Sequence, residues 1–280
     1  MFDISKIASN LTLAPDGIWY VANREAVSYP THGNQACFQI EDSSFWFKHR
    51  NACIAAAVRS FRPPDNSPIF DIGGGNGFVS LGLVNAGFDT VLVEPGPVGA
   101  INAKSRGIPT VICATTASAG FKDGTLGAVG LFDVIEHIED DFAYLCSIRK
   151  LLKSGGRLYA TVPAYSAIWS HEDDLAGHFR RYTSKSISAV VERAGLRLEY
   201  STYFFRPLPI PIFLLRALPY RIGLAGKSDG ARDPARDHSP ASGKVANILD
   251  WLLSGEVDIV ESKKRMSFGG SCLLVASAID

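Results

Sequence analysis

The stretch Ile69-Phe70-Asp71-Ile72-Gly73-Gly74-Gly75-Asn76-Gly77-Phe78 decides how this chain folds. An apolar run ends in a glycine-rich turn, and a helix-forming sequence follows at once. That order lets a backbone come close to a nucleotide-like ligand. Glycines at 73, 75 and 77 remove the Cβ atoms that would block such a ligand, and they permit positive φ. Asp71 stands just before the turn. Further on, Val91-Leu92-Val93-Glu94 is a second apolar run that ends in an acid. An acid at the tip of a second strand can accept both hydroxyls of a ribose.

Two ligand classes compete for this pattern. A dinucleotide site needs G-x-G-x-x-G, with its third glycine packing helix on strand. Counted from Gly73 that position is Phe78, and counted from Gly75 it is Ser80, so the dinucleotide pattern fails. The D-x-G-x-G-x-G form that remains fits a ligand with a ribose and an amino-acid tail but no phosphate.

The 280 residues carry 28 basic and 28 acidic side chains, so the chain lacks the electrostatic footprint of a nucleic-acid binder. The length suits one large domain or one domain with an elaboration. Five cysteines, at 37, 53, 113, 146 and 272, are scattered and form no C-x-x-C pair or zinc spacing, so no metal is expected. That scatter points to a reducing, cytoplasmic compartment. No run of eighteen apolar residues suggests a transmembrane helix, and the N-terminus does not read as a signal peptide. The sequence does not set an oligomeric state.

Along the chain, an Ala-rich helix is expected from a cap near Asp42 or Ser43 to the stop at Pro63-Pro64. Strands are expected at about 68–72, 90–94, 109–113, 126–132, 157–162 and 197–204. Helices fill the gaps at about 76–86, 97–105, 139–152 and 184–194. The 139–152 helix reads as ending in a C-cap at Ser154-Gly155-Gly156. Such alternation means a parallel sheet covered on both faces. Residues 206–265 interrupt the rhythm with an apolar, proline-rich segment, a polar loop at 223–243 and a helix at 244–261. Gly269–Ser277 reads as a last strand.

Three segments carry chemistry. Asp133-Val134-Ile135-Glu136-His137 ends the fourth strand, so it faces the same crevice as the glycine turn. Its acid also suits a helix N-terminus. Tyr165-Ser166-Ala167-Ile168-Trp169-Ser170-His171-Glu172-Asp173-Asp174, continuing to His178-Phe179-Arg180-Arg181-Tyr182, follows the fifth strand and is too polar and aromatic for a mere connector. Histidines there can act as bases. Arg180 or Arg181 can fork onto a carboxylate or phosphate, or pair with Asp173 or Asp174 to tie the loop to itself. The third segment is Glu41-Asp42-Ser43-Ser44-Phe45-Trp46-Phe47-Lys48-His49-Arg50, an aromatic stripe suited to a lid or to a core.

D-x-G-x-G-x-G resembles motif I of the class I S-adenosylmethionine-dependent methyltransferases. Asp133–His137 resembles the D-V-x-E-H segment of their small-molecule members, which include those of quinone biosynthesis. The F-W-F opening, the H-x-R-R-Y loop and Met266–Ser271 resemble a bacterial subfamily. The resemblance spans most of the chain from about residue 41.

It implies an α/β, Rossmann-like, seven-stranded sheet of order 3-2-1-4-5-7-6. The implied domains are a helical lid at 1–65, the core at 66–205 plus 266–280, and an inserted helical cap at 206–265. It implies S-adenosylmethionine contacts from Asp71, Gly73, Gly75, Asn76, Gly77, Glu94, Pro95, Asp133 and Val134, and from Trp46 and Arg50 of the lid. Ala114-Thr115-Thr116-Ala117 stands where relatives have a Gly-Asp pair, so Thr115, Thr116 or a backbone carbonyl must serve the adenine.

The implied reaction is methyl transfer to a small-molecule acceptor, lipid-linked and anionic ones included, and not to nucleic acid. His137, His178 and His171, in that order, are the expected bases. Tyr165, Trp169, Arg180, Arg181 and Tyr182 are the expected acceptor contacts. The 208–219 segment is read as a cap on an apolar substrate in preference to a membrane-surface contact. The competing readings are a non-catalytic binder of the same cofactor and an NAD-dependent oxidoreductase.

Overall fold

The computed structural model describes residues 3–22, 38, 40–224 and 244–279. The loop expected at 223–243 lies, from 225 on, outside the described residues, as does part of the N-terminal stretch. In chain order the strands are β1 (Leu11–Leu13), β2 (Ile18–Val21), β3 (Ile69–Ile72), β4 (Thr90–Val93), β5 (Thr110–Cys113), β6 (Leu126–Phe132), β7 (Leu152–Pro163), β8 (Leu196–Phe204) and β9 (Ser271–Ala278). The helices between them are α1 (Phe45–Ser60), α2 (Phe78–Asn85), α3 (Pro97–Ser105), α4 (Thr116–Ala119), α5 (Asp141–Leu151), α6 (His171–Ala176) and α7 (Ser184–Arg193). The insertion holds α8 (Pro209–Ile212), a π-helical turn (Phe213–Ala217), α9 (Leu218–Arg221) and α10 (Lys244–Glu261).

These strands make one sheet in the spatial order β1-β2-β5-β4-β3-β6-β7-β9-β8. Pairing is parallel from β2 through to β7. The last strand, β9, runs antiparallel between β7 and β8. The α/β, Rossmann-like class stands, but in place of the expected seven strands the sheet has nine among the described residues. The added pair, β1 and β2, comes from the segment expected to be a helical lid, and β2 lies parallel to β5. Runs of three and four residues are too short for pattern alone to show as strands. A second correction concerns Gly155-Gly156. Helix α5 stops at Leu151, and β7 starts at the next residue. The glycines instead sit in a register shift between β6 and β7, where Gly155 takes φ 68°.

Both faces of the sheet are covered, which is why β3, β6 and β9 are buried along their whole length. One core joins α5 and α7 to the sheet through Leu145, Ile148, Ile187 and Val191. The opposite core joins α1, α2 and α10 through Ile54, Val58, Leu83, Leu253 and Val260. Helix α1 forms because an alanine-rich run follows Ser44, whose side chain accepts from the Trp46 amide at 3.3 Å. No helix among the described residues is long and apolar enough to cross a membrane.

Glu256 on α10 fastens the insertion to this frame. It is 1% exposed. Its carboxylate accepts from the Phe205 amide at 2.7 Å, the Arg206 amide at 2.8 Å, and lies 2.9 Å from His49 Nε2 on α1. Phe205 holds φ 60°, a conformation costly for an aromatic residue, and those two amide bonds keep it there. Glu256→Ala leaves these donors buried without an acceptor and is expected to cost about 3–5 kcal/mol. A urea unfolding curve measures this, and an unchanged midpoint would refute the fastening role.

Candidate active site

The carboxyl ends of β3, β4, β6 and β7 open onto one crevice. Its glycines do different jobs. A Cβ on Gly73 would stand 2.9 Å from Val134, one on Gly74 2.8 Å from Asp71, and one on Gly77 2.8 Å from Ala103 of α3. Those three are glycine because neighbouring atoms leave no room. A Cβ on Gly75 would meet nothing within 4 Å, although its φ is +53°. Gly75 alone of the four faces open space.

Glu94 binds the turn to the loop after β4. Its carboxylate accepts from the Gly75 amide at 3.0 Å and the Gly96 amide at 2.7 Å. Burial nevertheless pushes its carboxyl up to about 7, and the nearby Asp71 adds to the rise. Asp71, 1% exposed, accepts from Ser80 Oγ at 2.6 Å. Burial raises it to about 6. Asn76 donates to Glu41 at 3.2 Å and accepts from Asn102 at 2.9 Å, while Arg106 pairs with Glu41 at 2.7 Å. That network ties the segment before α1 to the glycine turn.

Across the crevice, Asp133 takes φ 58° at the end of β6. It pairs with Arg50 of α1 and accepts from Thr161 Oγ1 of β7 at 2.9 Å. The Arg50 guanidinium lies over the Trp46 ring at 4.9 Å, and Trp46 stacks on Phe205 at 5.5 Å. Asp133, Arg50 and Trp46, expected as separate cofactor contacts, are thus assembled into one unit. Arg50 Nε keeps no hydrogen-bond partner among the described residues.

Three residues on, Glu136, His137 and His178 converge, with one ligand-capable atom of each within 4.8 Å of the others. The two imidazoles meet edge to face at 4.7 Å. His178 Nδ1 lies 2.8 Å from Asp173 Oδ1, which Arg181 Nε also reaches at 2.7 Å. Burial pushes the Asp173 carboxyl up, but the bonds from His178 and Arg181 outweigh it and hold it below the usual carboxylate range. Burial, with the neighbouring His178, depresses His137 to about 4, so its imidazole is neutral. Glu136 is 1% exposed, and burial together with Asp133 raises its carboxyl well above the usual range. Nothing in the sequence spacing marks Asp173 as the partner of His178; only the folded α6 loop brings them together.

The remaining expected residues sit elsewhere. His171 stacks on Tyr220 of the insertion at 6.4 Å instead of joining the histidine pair. Trp169 Nε1 donates to Asp174 at 3.0 Å. Arg180 and Tyr182 both engage Asp141 at the start of α5, at 2.9 and 2.7 Å. Tyr165, at φ 56°, stacks on Tyr203 at 5.2 Å and Phe268 at 5.7 Å. Thr115 caps α4, the helix that Thr116 begins, through a reciprocal bond with Ser118. The Pro95 carbonyl faces Cys113 Sγ at 3.8 Å.

A family profile for a methyltransferase domain matches residues 46–201, more than half of the chain. This chain belongs to the methyltransferase-domain family. It is 36% identical over 93 residues to a ubiquinone biosynthesis O-methyltransferase of Ruegeria sp., covering 31% of this chain and only 38% of that protein. With a protein of the same description from Rhizobium etli it shares 27% over 188 residues, 60% of this chain and 76% of the relative. Among solved structures, the complex of the Haloferax volcanii Trm112 methyltransferase activator with a methyltransferase matches at TM-score 0.57 and 16% identity, covering 89% of this chain and 96% of that one. Phosphoethanolamine N-methyltransferase 2 of Haemonchus contortus, solved with S-adenosyl-L-methionine, matches at TM-score 0.53 and 16% identity, covering 91% of this chain and 58% of that one. These two likenesses concern the fold.

A carboxyl raised from 4.5 to about 7 favours the protonated acid in the fold. Its contribution to stability is complete below pH 4.5 and falls away as pH climbs to about 7. Glu94→Gln removes this titration. The stability difference between variant and wild type should therefore shift in the variant's favour by about 3 kcal/mol between pH 4 and pH 8. Paired urea titrations across that range test it, and a pH-independent difference would place the Glu94 carboxyl in the ordinary range.

Proposed function

We propose that this protein is an S-adenosylmethionine-dependent methyltransferase that methylates an oxygen of a small-molecule acceptor by in-line displacement. Gly75 carries the reading: its missing side chain points into open space beside a clamped, buried Glu94. The residues fit the cofactor. Each Glu94 oxygen already holds one amide and keeps capacity for a ribose hydroxyl. Arg50 Nε, buried and unpaired among the described residues, suits the carboxylate of an amino-acid tail. S-adenosylmethionine supplies an activated methyl group on a sulfonium. The protein's part is alignment and exclusion of water.

The acceptor side lies against Glu136, His137 and His178, the groups able to take charge of an acceptor proton. His178 is oriented for that by Asp173. Oxygen is favoured as acceptor atom because the curated relatives quoted above carry that activity in their description. Residues 206–224 are read as a cap over the acceptor. Tyr220 donates to Asp174 and Arg221 to the Ser166 carbonyl, so the insertion rests on the acceptor-side loop.

Calorimetric titration with S-adenosylmethionine, S-adenosylhomocysteine and NAD tests the reading. Both sulfur nucleosides are expected to bind and NAD is not; NAD binding without either would overturn it. Gly75→Val should lower cofactor affinity on the order of a hundredfold, a loss of nearly 3 kcal/mol. Its left-handed backbone adds a folding cost of about 1–2 kcal/mol. Affinity kept within a few-fold would refute this placement of the cofactor. His178→Ala should slow methyl transfer, followed as S-adenosylhomocysteine formation, by about 10²–10⁴-fold and leave cofactor affinity intact. Unchanged turnover would return His178 to a purely structural role.

A further inference from the structure

We propose that Glu136, His137 and His178 form a site for one divalent first-row transition-metal cation, which takes an oxygen of the acceptor in an open coordination position. The cluster offers one carboxylate and two imidazoles whose donor atoms all lie within 4.8 Å of one another. Two histidines and one carboxylate on one side of a cation are a donor set for zinc or iron(II) that leaves positions free. The sequence expectation of no metal rested on local spacing. Here the donors come from two loops some forty residues apart.

Two further observations point the same way. Glu136 Oε2 is buried with no hydrogen-bond partner among the described residues, in a side chain 1% exposed. A buried carboxylate oxygen left so is costly, and a cation satisfies it. His178 Nδ1 is committed to Asp173, which leaves Nε2 for a ligand. A carboxylate behind an imidazole is the usual support of a metal-bound histidine, fixing ring orientation and raising basicity.

The second cluster with metal-like composition does not share these features. Glu256 there already accepts from two backbone amides and His49, so its oxygens are spent.

The proposal deepens the methyl-transfer reading and rests on it for the cation's use. A bound cation would lower the pKa of a ligated hydroxyl, so that its proton could pass to solvent at neutral pH without His178 acting as the base. The resulting oxygen forms the C–O bond as the C–S bond breaks, and the sulfur keeps that electron pair. The vacant positions favour an acceptor with a second oxygen next to the reacting hydroxyl, because such a pair chelates.

The full chain, stripped with a chelator, is titrated with Co²⁺ and Zn²⁺ by calorimetry and by visible absorption of the Co²⁺ complex. One equivalent per chain is expected. Affinity should fall at least about tenfold in Glu136→Gln, and about 10–100-fold in Asp173→Asn, which removes the carboxylate behind His178 together with its bonds from Arg181 and the Ser170 amide. A thermal melt of each variant confirms folding. No binding by wild type would overturn the proposal, as would binding unchanged in Glu136→Gln or lost only in Cys53→Ser. The same stripped protein is titrated with S-adenosylmethionine. Nucleoside binding without metal binding sinks the cation site alone, whereas failure of nucleoside binding sinks the methyl-transfer reading.

Discussion

Arg50 pairs with Asp133 across the gap between α1 and the end of β6. Two carboxylates, Asp133 and Glu136, stand within electrostatic reach of each other in a buried place. The Arg50 guanidinium, with Thr161, holds Asp133 in its left-handed conformation. That conformation turns the chain so that Val134 packs under Gly73 and Glu136 points to the histidines. The pair therefore sets α1, the glycine turn and the Glu136–His137–His178 cluster in one frame.

Much of that frame was legible in the sequence, for reasons that differ by residue. The glycine turn can be read because its requirement is local: backbone close to other atoms, with no room for a Cβ. Glu94 can be read because it ends a run of β-branched and leucine residues at a fixed distance from the turn. His137 and His178 can be placed at the same sheet edge from strand order alone. What the histidines hold on to cannot be read. Asp173, Asp174, Glu172 and Asp141 are all near in sequence to candidate partners, and loop geometry alone assigns Asp173 to His178 and Asp141 to Arg180. The short strands β1 and β2 carry too few residues for a period to show. Gly155-Gly156 fits a helix cap and a sheet bulge equally well, and only pairing with β6 decides between them.

The four glycines of the turn illustrate how far a motif reading goes. A pattern treats them as equivalent, whereas the surrounding atoms separate them. Gly73, Gly74 and Gly77 answer to Val134, Asp71 and Ala103, so they are packing constraints of the fold. Gly75 answers to no protein atom. Packing therefore does not explain a glycine at 75, whereas the close approach of a ligand to the backbone beside Glu94 would.

The crevice is also divided by charge. On the β3–β4 side the acids Asp71 and Glu94 are buried with hydroxyl and amide donors, and burial raises both carboxyls, an environment that suits uncharged hydroxyl donors. On the β6–β7 side carboxylates face guanidiniums and imidazoles, an environment that suits charge transfer to and from a reacting oxygen. In the proposed reading a sulfonium cofactor spans both, its ribose on the first side and its methyl directed toward the second.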